Sequence, residues 1–262
     1  MRVLLIGDIF ARPGRTAVQR VLPSLRASRD LDFVVANAEN VAGGRGMTLA
    51  TLEPLFQAGV DVVTSGNHVW DQRDMLRDIE RDPRILRPLN LPPGTPGAGY
   101  FVGDDVLVVN AMGRLFMRDI DCPFRALDAL LDELPYAPPV KIVDFHGEAT
   151  SEKAAMGWHL AGRVSAVFGT HSHVPTADQR VLPGATAFVS DVGMCGPLNS
   201  VIGLDPATAI RGFVTALPTR FQVADGPAVF RAVLVEIDPL SGQAQGVERI
   251  ERVIELDAEG AD

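Results

Sequence analysis

The chain has 262 residues, a formal net charge of −9 and an apolar fraction of 47%. This length and composition are typical of a globular protein with a sizeable core, and we predict one domain over residues 1–262. The negative charge argues against long nucleic acid as a partner, because nucleic-acid binding needs a basic surface. The sequence has no run of about 18 apolar residues, so we expect no membrane partner. Because the N-terminal segment becomes polar too early for a signal peptide, we expect a cytoplasmic location.

Short β-branched runs bounded by Gly, Asn or Asp predict buried strands in the first two thirds of the chain. These runs cover residues 3–6, 33–36, 60–63, 106–109, 140–145 and 164–168. Helical patterns lie between them, at residues 15–26, 49–58, 71–81, 124–133 and 151–161. Alternating strands and helices predict a parallel or mixed sheet with helices outside it.

The last third of the chain has a different pattern. Its predicted strands, without long helices between them, cover residues 185–190, 213–216, 230–237 and 247–254. They predict a second, more antiparallel sheet, packed face to face with the first and with helices on both outer faces. Residues 89–99 are rich in Pro and Gly and predict a rigid loop or a crossing connection. The acidic chain end after Glu255 is expected to be frayed.

Residues whose side chains can bind metals follow five of the predicted strands. They are Asp8, Glu39 with Asn40, Asn67 with His68, His146, and His171 with His173. Four of the five histidines of the chain stand at these points, and only His159 lies elsewhere. Since sites in open α/β sheets form at the carboxyl ends of strands, we expect these side chains to meet at one edge.

The residue types at this edge predict a site for two divalent metal ions. Mixed carboxylate, imidazole and amide ligands suit Mn, Fe, Zn, Co or Ni, whereas Ca and Mg prefer oxygen ligands alone. Six or seven ligands are too many for one catalytic ion with open positions and fit two ions about 3.5–4 Å apart. The two cysteines, Cys122 and Cys195, form no metal-binding pattern.

Several of these segments resemble motifs of the calcineurin-like metallophosphoesterases. The later motifs, in the same order, are Gly66-Asn67-His68, His146 and His171-Ser172-His173. The first two motifs depart from that superfamily, because Phe10 stands where Asp-x-His has its histidine and Glu39-Asn40 replaces part of Gly-Asp-x-x-Asp. Both departures resemble the bacterial YmdB-like phosphodiesterases, and the resemblance runs from Arg2 to about Ile237. It implies an α/β fold, a four-layer α-β-β-α sandwich of two mixed sheets flanked by helices.

The resemblance also implies a role for each residue of the site. Asp8, Asn40 and His173 would hold the first metal, and Asn67, His146 and His171 the second. Glu39 would bridge the two ions, and His68 would be the catalytic proton donor to the leaving group. The loss of a histidine at Phe10 gives the first ion a more oxygen-rich shell, which favours Fe or Mn, with Zn as the further option.

The activity implied is hydrolysis of small cyclic nucleotides, 2′,3′-cyclic and as a second option 3′,5′-cyclic monophosphates, by a metal-activated hydroxide. Two alternatives stay open: a phosphomonoesterase or protein phosphatase of the same superfamily, and a non-catalytic metal-binding regulatory protein. The loops at residues 42–46, 113–121 and 193–200 are candidates for choosing the substrate, with Arg45, Arg114 and Arg118 as candidate phosphate partners. A homo-oligomer is expected on general frequency alone.

Overall fold

A computed structural model describes residues 1–256 of the chain. Two sheets of six strands each lie face to face, with helices packed on their outer faces. The four-layer α-β-β-α architecture is therefore confirmed. The predicted frayed end falls, apart from Glu255 and Leu256, on residues outside the described range.

The first sheet combines three parallel strands from the start of the chain with three strands from its end. Its strands are β1 (Arg2–Ile6), β2 (Phe33–Asn37), β3 (Val62–Thr64), β10 (Gly196–Pro197), β11 (Ala228–Ile237) and β12 (Ala244–Ile254). The order is β12–β11–β1–β2–β3, and β10 also pairs with β11. β11 runs antiparallel to both β1 and β12.

The second sheet has a parallel centre and antiparallel edges. Its strands are β4 (Tyr100–Val102), β5 (Val106–Met112), β6 (Val140–His146), β7 (Ala166–Thr170), β8 (Arg180–Leu182) and β9 (Thr186–Val189). The order is β4–β5–β6–β7–β9–β8, with β4 and β8 antiparallel to their neighbours. Residues 89–99 belong to the connection that carries the chain from β3 in the first sheet to β4 in the second, which agrees with the second of the two predicted options, a crossing connection.

Six helices accompany the two sheets within residues 1–256. They are α1 (Ala11–Ser28), α2 (Leu49–Gln57), α3 (Met75–Asp78), α4 (Pro123–Glu133), α5 (Thr150–Leu160) and α6 (Pro206–Thr215). The helix predicted over residues 71–81 is shorter than expected, since only α3 and a 3-10 turn (Ile79–Arg81) form there. No helix in this part of the chain is both long and apolar enough to cross a membrane.

The alternation of side chains along β1 shows how the layers are stabilised. Leu4 and Ile6 lie in the core beneath α1, whereas Val3 and Leu5 lie in the core between the two sheets. Successive strand residues point to opposite faces, so the apolar run of residues 3–6 in β1 buries both faces. Each such side chain contributes about 1.5–3 kcal/mol by leaving water.

The strand predicted at residues 213–216 is wrong, because residues 213–215 form the last part of helix α6 and residue 216 follows it. Asp205 caps the helix by accepting the N–H and the O–H of Thr208 at 2.8 and 2.7 Å. Pro206 fits the first helical position, where no N–H is needed. The apolar run at the end of the helix is β-like in composition, but the start signal upstream decides its structure.

The separate antiparallel sheet predicted for the last third is also wrong. β9 joins the second sheet in parallel beside β7, while β11 and β12 join the first sheet. β11 pairs with β1 in a register that places Leu4 opposite Leu234. Such pairing between distant segments depends on which apolar faces can be buried together, and no local pattern encodes it.

Candidate metal centre

The predicted site residues come together where the carboxyl ends of strands from both sheets meet. The site residues stand at the ends of β1, β2 and β3 in the first sheet and of β6 and β7 in the second. The expectation of a single sheet edge is thus corrected to two edges. A buried network joins these edges: Asp144 of β6 accepts hydrogen bonds from Asn37 of β2 at 3.1 Å and from Thr64 of β3 at 2.5 Å.

One group of donor atoms surrounds the imidazole of His146, which is fully buried. Its Nε2 lies 3.1 Å from Glu39 Oε1, 3.0 Å from Asn67 Oδ1 and 3.1 Å from His171 Nδ1. Glu39, His146 and His171 form a cluster whose ligand atoms lie within 4.8 Å of one another. Two imidazole nitrogens, a carboxylate oxygen and an amide oxygen therefore converge on one place.

Hydrogen bonds behind this group decide which ring nitrogens carry protons. His146 Nδ1 lies 2.9 Å from the hydroxyl of Thr170, which donates its own proton to Asp144 at 2.8 Å. Thr170 must therefore accept a proton from Nδ1. His171 Nε2 lies 3.0 Å from Glu148 Oε2, which in its ionised form can only accept. These partners direct Nε2 of His146 and Nδ1 of His171 toward the shared position, as in metal sites whose outer residues orient ligand histidines.

A second group of donor atoms contains Asp8, Asn40 and His173. His173 Nε2 lies 3.9 Å from Asp8 Oδ1 and 3.2 Å from the Asn40 amide nitrogen. The other nitrogen of His173 donates to the carbonyl of Ile202 at 2.9 Å, so Nε2 presents its lone pair to this group. A half-turn of the Asn40 amide exchanges its nitrogen and oxygen at the same position.

Glu39 and Asp8 connect the two groups. Glu39 Oε1 is 3.5 Å from the Asn40 amide nitrogen as well as 3.1 Å from His146 Nε2. Asp8 accepts the backbone N–H of His171 at 3.1 and 3.2 Å. Phe10, in the place of the lost histidine, packs edge-on against the His173 ring at 5.6 Å between centroids.

The pKa values in this cluster reflect buried charges of both signs. Burial alone would lower the pKa of His146, but the carboxylates of Glu39, Asp8 and Asp144 raise it to about 9. Burial would raise the pKa of Glu39, yet His146 and His68 lower it to about 2. Positive charge is therefore strongly favoured beside the Glu39 carboxylate.

The other buried groups of the cluster respond chiefly to desolvation. Burial and the neighbouring His146 lower the pKa of His171 to about 3, so its imidazole is neutral and can be a ligand. Burial raises the pKa of Asp8. It also raises the pKa of Asp144 to about 6, despite hydrogen bonds from Thr64, Thr170 and Asn37.

The donor set fits divalent cations of borderline softness. Two carboxylates, three imidazole nitrogens and two amides lie together, and a cation would replace the proton that His146 otherwise holds for Glu39. The metal-binding roles of Asp8, Glu39, Asn40, Asn67, His146, His171 and His173 stay predictions, since the structure gives their positions and contacts only.

His68 lies at the rim of the cluster and is partly exposed. Its backbone N–H donates to Glu39 Oε2 at 2.9 Å, which fixes the residue beside the centre. Its Nδ1 lies 2.8 Å from Asp71 Oδ2, three residues later in the chain. Asp71 thus orients the ring and leaves Nε2 available to a proton.

The segment that carries two of the histidines has a strained backbone at both of them. His171 has φ +101° and His173 has φ +65°, in the left-handed region that non-glycine residues rarely adopt. Between them, Ser172 donates its N–H and its O–H to Asp191 Oδ2 at 3.0 and 2.7 Å. Lys153 of α5 forms a buried ion pair with the same oxygen at 2.7 Å, which stabilises the carboxylate inside the fold.

Sequence reasoning missed the residues that orient the predicted ligands. They are Asn37, Asp71, Asp144, Glu148, Lys153, Thr170 and Asp191. A charged residue inside the apolar run at 140–145 was a usable signal for Asp144, and Asn37 and Thr170 stand at strand ends. The other contacts join residues whose proximity only the fold creates.

Cys195 is a buried structural residue. Its Sγ donates to the carbonyl of Arg231 at 3.3 Å, and burial raises the pKa of the thiol to about 12. A protonated thiol in this position is no nucleophile.

Changing Gly66 to Ala should disturb the centre through His146. An added Cβ would lie 2.1 Å from the Cδ2 atom of the His146 ring, so the ring or the strand end must move. We expect a stability loss of about 1–3 kcal/mol, typical of overpacking, and at least about tenfold weaker Mn²⁺ binding, as for other displaced ligands. Calorimetric titration with Mn²⁺ measures the binding; Gly246→Ala is the matched control, since Gly246, like Gly66, has no positive φ, and the nearest atom to its added Cβ is Glu236 Oε2 at 3.8 Å. Unchanged Mn²⁺ affinity in the Gly66 variant would contradict the expected displacement of His146.

Comparison with known proteins places the whole chain among similar sequences and folds. It matches the family described as YmdB-like proteins over residues 4–250. It is 43% identical to the 2′,3′-cyclic-nucleotide 2′-phosphodiesterase of Bacillus subtilis (strain 168), over 95% of this chain and 96% of the relative. The crystal structure of a hypothetical protein from Thermus thermophilus has a TM-score of 0.90 and 44% identity, covering 97% and 99% of the two chains. That of a novel phosphatase from Mycoplasma pneumoniae has a TM-score of 0.90 and 35% identity, covering 98% and 95%.

Proposed function

The chain belongs to the YmdB-like family of the metallophosphoesterase superfamily, and from this membership we propose that it hydrolyses 2′,3′-cyclic nucleotides at a dinuclear metal centre. Phosphoric ester hydrolysis is the activity for which its relatives are named, and the chain is an enzyme of this class. The observation that carries the proposal is the convergence of His146 Nε2, His171 Nδ1, Glu39 Oε1 and Asn67 Oδ1 beside the group of Asp8, Asn40 and His173.

The chemistry divides between the bound ions and the side chains around them. Divalent ions supply polarisation of the phosphoryl oxygens and lower the pKa of water when bound. The chain's own residues hold the donor atoms in place and exclude bulk water from Asp8, Glu39 and His146, which are almost completely buried. Fe or Mn is the metal we propose, with Zn as the further option, because the donor set is mixed oxygen and nitrogen.

His68 would donate the proton that the leaving alkoxide needs. Asp71 accepts from its Nδ1, so a protonated ring carries its second proton on Nε2. Histidine is the side chain that serves most often as a general acid in enzymes.

The substrate class is tested by comparing two esters. Protein reconstituted separately with Mn²⁺ and with Fe²⁺ is assayed on 2′,3′-cyclic AMP and on para-nitrophenyl phosphate, with Asn67→Ala as the inactive reference. Faster hydrolysis of the cyclic diester, lost in the variant, is the expected result. Preference for the monoester would instead support the phosphomonoesterase, and absence of both activities in metal-loaded protein would favour a regulatory role.

Replacing His68 by Ala should lower kcat by about 10²–10⁴-fold, the usual contribution of a general acid. Metal content should stay unchanged, because the side chain of His68 is not among the donor groups. Asp71→Asn, which keeps the shape but weakens the orientation of the ring, should give a smaller loss. Elemental analysis and steady-state kinetics on the same samples measure both quantities. A fully active His68→Ala with both metals bound would remove this residue from the mechanism.

A further inference from the structure

The loop after β5 leaves the second sheet directly beside the metal centre. β5 and β6 are parallel neighbours, with Met112 opposite His146. The N–H of Gly113 donates to the carbonyl of His146 at 2.8 Å. Phe116 is only three residues further, a span of at most about 10 Å. Phe116 therefore lies no more than about 10 Å along the chain from Gly113, the residue that is hydrogen-bonded to His146.

Phe116 occupies a backbone position that favours glycine. The N–H of Met117 donates to the carbonyl of Arg114 at 3.1 Å and closes a turn in which Phe116 is the third residue. Phe116 has φ +61°, and a bulky side chain in this region is an outlier. The residue is also 90% exposed, so packing does not offset the strain. Strain of this kind is concentrated at ligand-binding segments.

A buried carboxylate fixes the same turn from below. Glu152 of α5 is 8% exposed and accepts the N–H of Arg114 at 3.0 and 3.1 Å and that of Leu115 at 3.1 Å. The backbone of the turn is thus held in place. Within residues 1–256 the guanidinium of the exposed Arg114 has no hydrogen-bond or ion-pair partner. A fixed turn presenting a free cation and a free aromatic ring matches the two ends of a nucleotide, its phosphate and its base.

We propose that the turn of residues 114–117 is the nucleoside-recognition element of the enzyme, with Phe116 stacking on the base and Arg114 attracting the phosphodiester. This inference rests on the proposed function and adds to it the part of the substrate that does not react. Stacking on an aromatic ring is tolerant of base identity, because every base has a π-face. The turn therefore favours nucleotides over phosphodiesters that lack a base, and it binds nucleotides with different bases about equally well.

The test compares a nucleotide with the same reacting group lacking a base. KM is measured for 2′,3′-cyclic AMP and for ribose 2′,3′-cyclic phosphate, using Phe116→Ala and, as a matched control, Tyr136→Ala. Tyr136 is 98% exposed and precedes β6, so it lies toward the amino end of that strand, whereas His146 is at its carboxyl end. We expect Phe116→Ala to raise KM for cyclic AMP about fivefold or more and to leave KM for the ribose phosphate unchanged. Tyr136→Ala should change neither.

Phe116→Gly separates recognition from folding. Glycine suits the turn, so the melting temperature should stay the same or rise, while KM for cyclic AMP rises as in the Ala variant. An equal change of KM for both substrates, or no change in either Phe116 variant, would overturn the inference. If the unaltered chain hydrolyses neither cyclic phosphate, the proposed function fails instead. Calorimetric binding of cyclic AMP to the unaltered and Phe116→Ala chains then decides the inference separately: weaker binding in the variant supports it, and equal binding or none in either chain overturns it.

Discussion

Replacing Glu39 by Gln should reduce turnover of cyclic phosphodiesters by roughly 10³-fold or more, the loss expected when metal ions no longer stabilise the transition-state charge. Glu39 is 1% exposed and lies between the two donor groups. One oxygen faces His146 Nε2 at 3.1 Å, and the other accepts the N–H of His68 at 2.9 Å. No other carboxylate in the described chain has contacts with both His146 Nε2 and the Asn40 amide.

The glutamine keeps the shape of the side chain and removes its charge. The pKa of Glu39 is about 2, so this charge is present throughout the range in which the enzyme would work. Its loss weakens the attraction for cations at both donor groups, because Glu39 is the residue they share. The expected consequence is a loss of bound metal together with the loss of turnover.

Kinetics and elemental analysis on Mn²⁺-loaded protein measure the two effects together. Glu53→Gln is the matched control, since this carboxylate contacts Gln57 on the surface of α2. It should keep the metal content and kcat of the unaltered chain. Substantial turnover by Glu39→Gln at full metal content would show that the bridging role is wrong.

The second large effect concerns the ion pair between Lys153 and Asp191. Changing Asp191 to Ala should cost about 3–5 kcal/mol of unfolding free energy, because it leaves a buried ammonium without a partner. Both residues are 1% exposed. The carboxylate also accepts from Ser172 and from the N–H of Gly193 at 2.8 Å, so two backbone segments lose their anchor.

Denaturant unfolding measures this cost, and the double variant Lys153→Met with Asp191→Asn separates its causes. Removing both charges avoids the uncompensated ammonium, and the amide oxygen still accepts from Ser172. We expect the double variant to recover most of the lost stability. A double variant as unstable as Asp191→Ala would indicate that packing, rather than charge, determines the effect.

The Asp191 variant should also bind Mn²⁺ more weakly, because Ser172 lies between two predicted ligands with strained backbones. His171 and His173 keep positive φ values only while the surrounding contacts hold them. Glu152→Gln is a matched control for this readout, since Glu152 adjoins Lys153 on α5 but contacts the turn at Arg114 and Leu115. Weaker Mn²⁺ binding in both variants alike would show a general effect of disturbing the contacts of α5.

The positions of the candidate site residues were predictable from sequence, because the signal for each of them is local. The β-branched run at residues 140–145, followed at once by His146, predicts the strand and places the His146 side chain at its end. A single residue of this kind is usually structural. The same pattern repeated at Asp8, Glu39, Asn67 and His171 indicates a site instead.

What sequence could not predict depends on contacts between distant segments. The apolar residues Phe213 and Val214 are typical of a strand, but they are exposed on α6 and their structure follows from the cap at Asp205. The pairing of Asp144 with Asn37 and Thr64, and of Lys153 with Asp191, exists only because two sheets and a helix meet. The same holds for Glu152, whose role becomes visible only beside Arg114.

The proposed dinuclear centre is tested most directly by diffraction from crystals of Mn²⁺-loaded protein at the Mn absorption edge. The expected result is two anomalous peaks about 3.5–4 Å apart, one among Glu39, Asn67, His146 and His171 and the other among Asp8, Glu39, Asn40 and His173. A single peak, or peaks away from these side chains in fully loaded and active protein, would contradict the two-metal assignment.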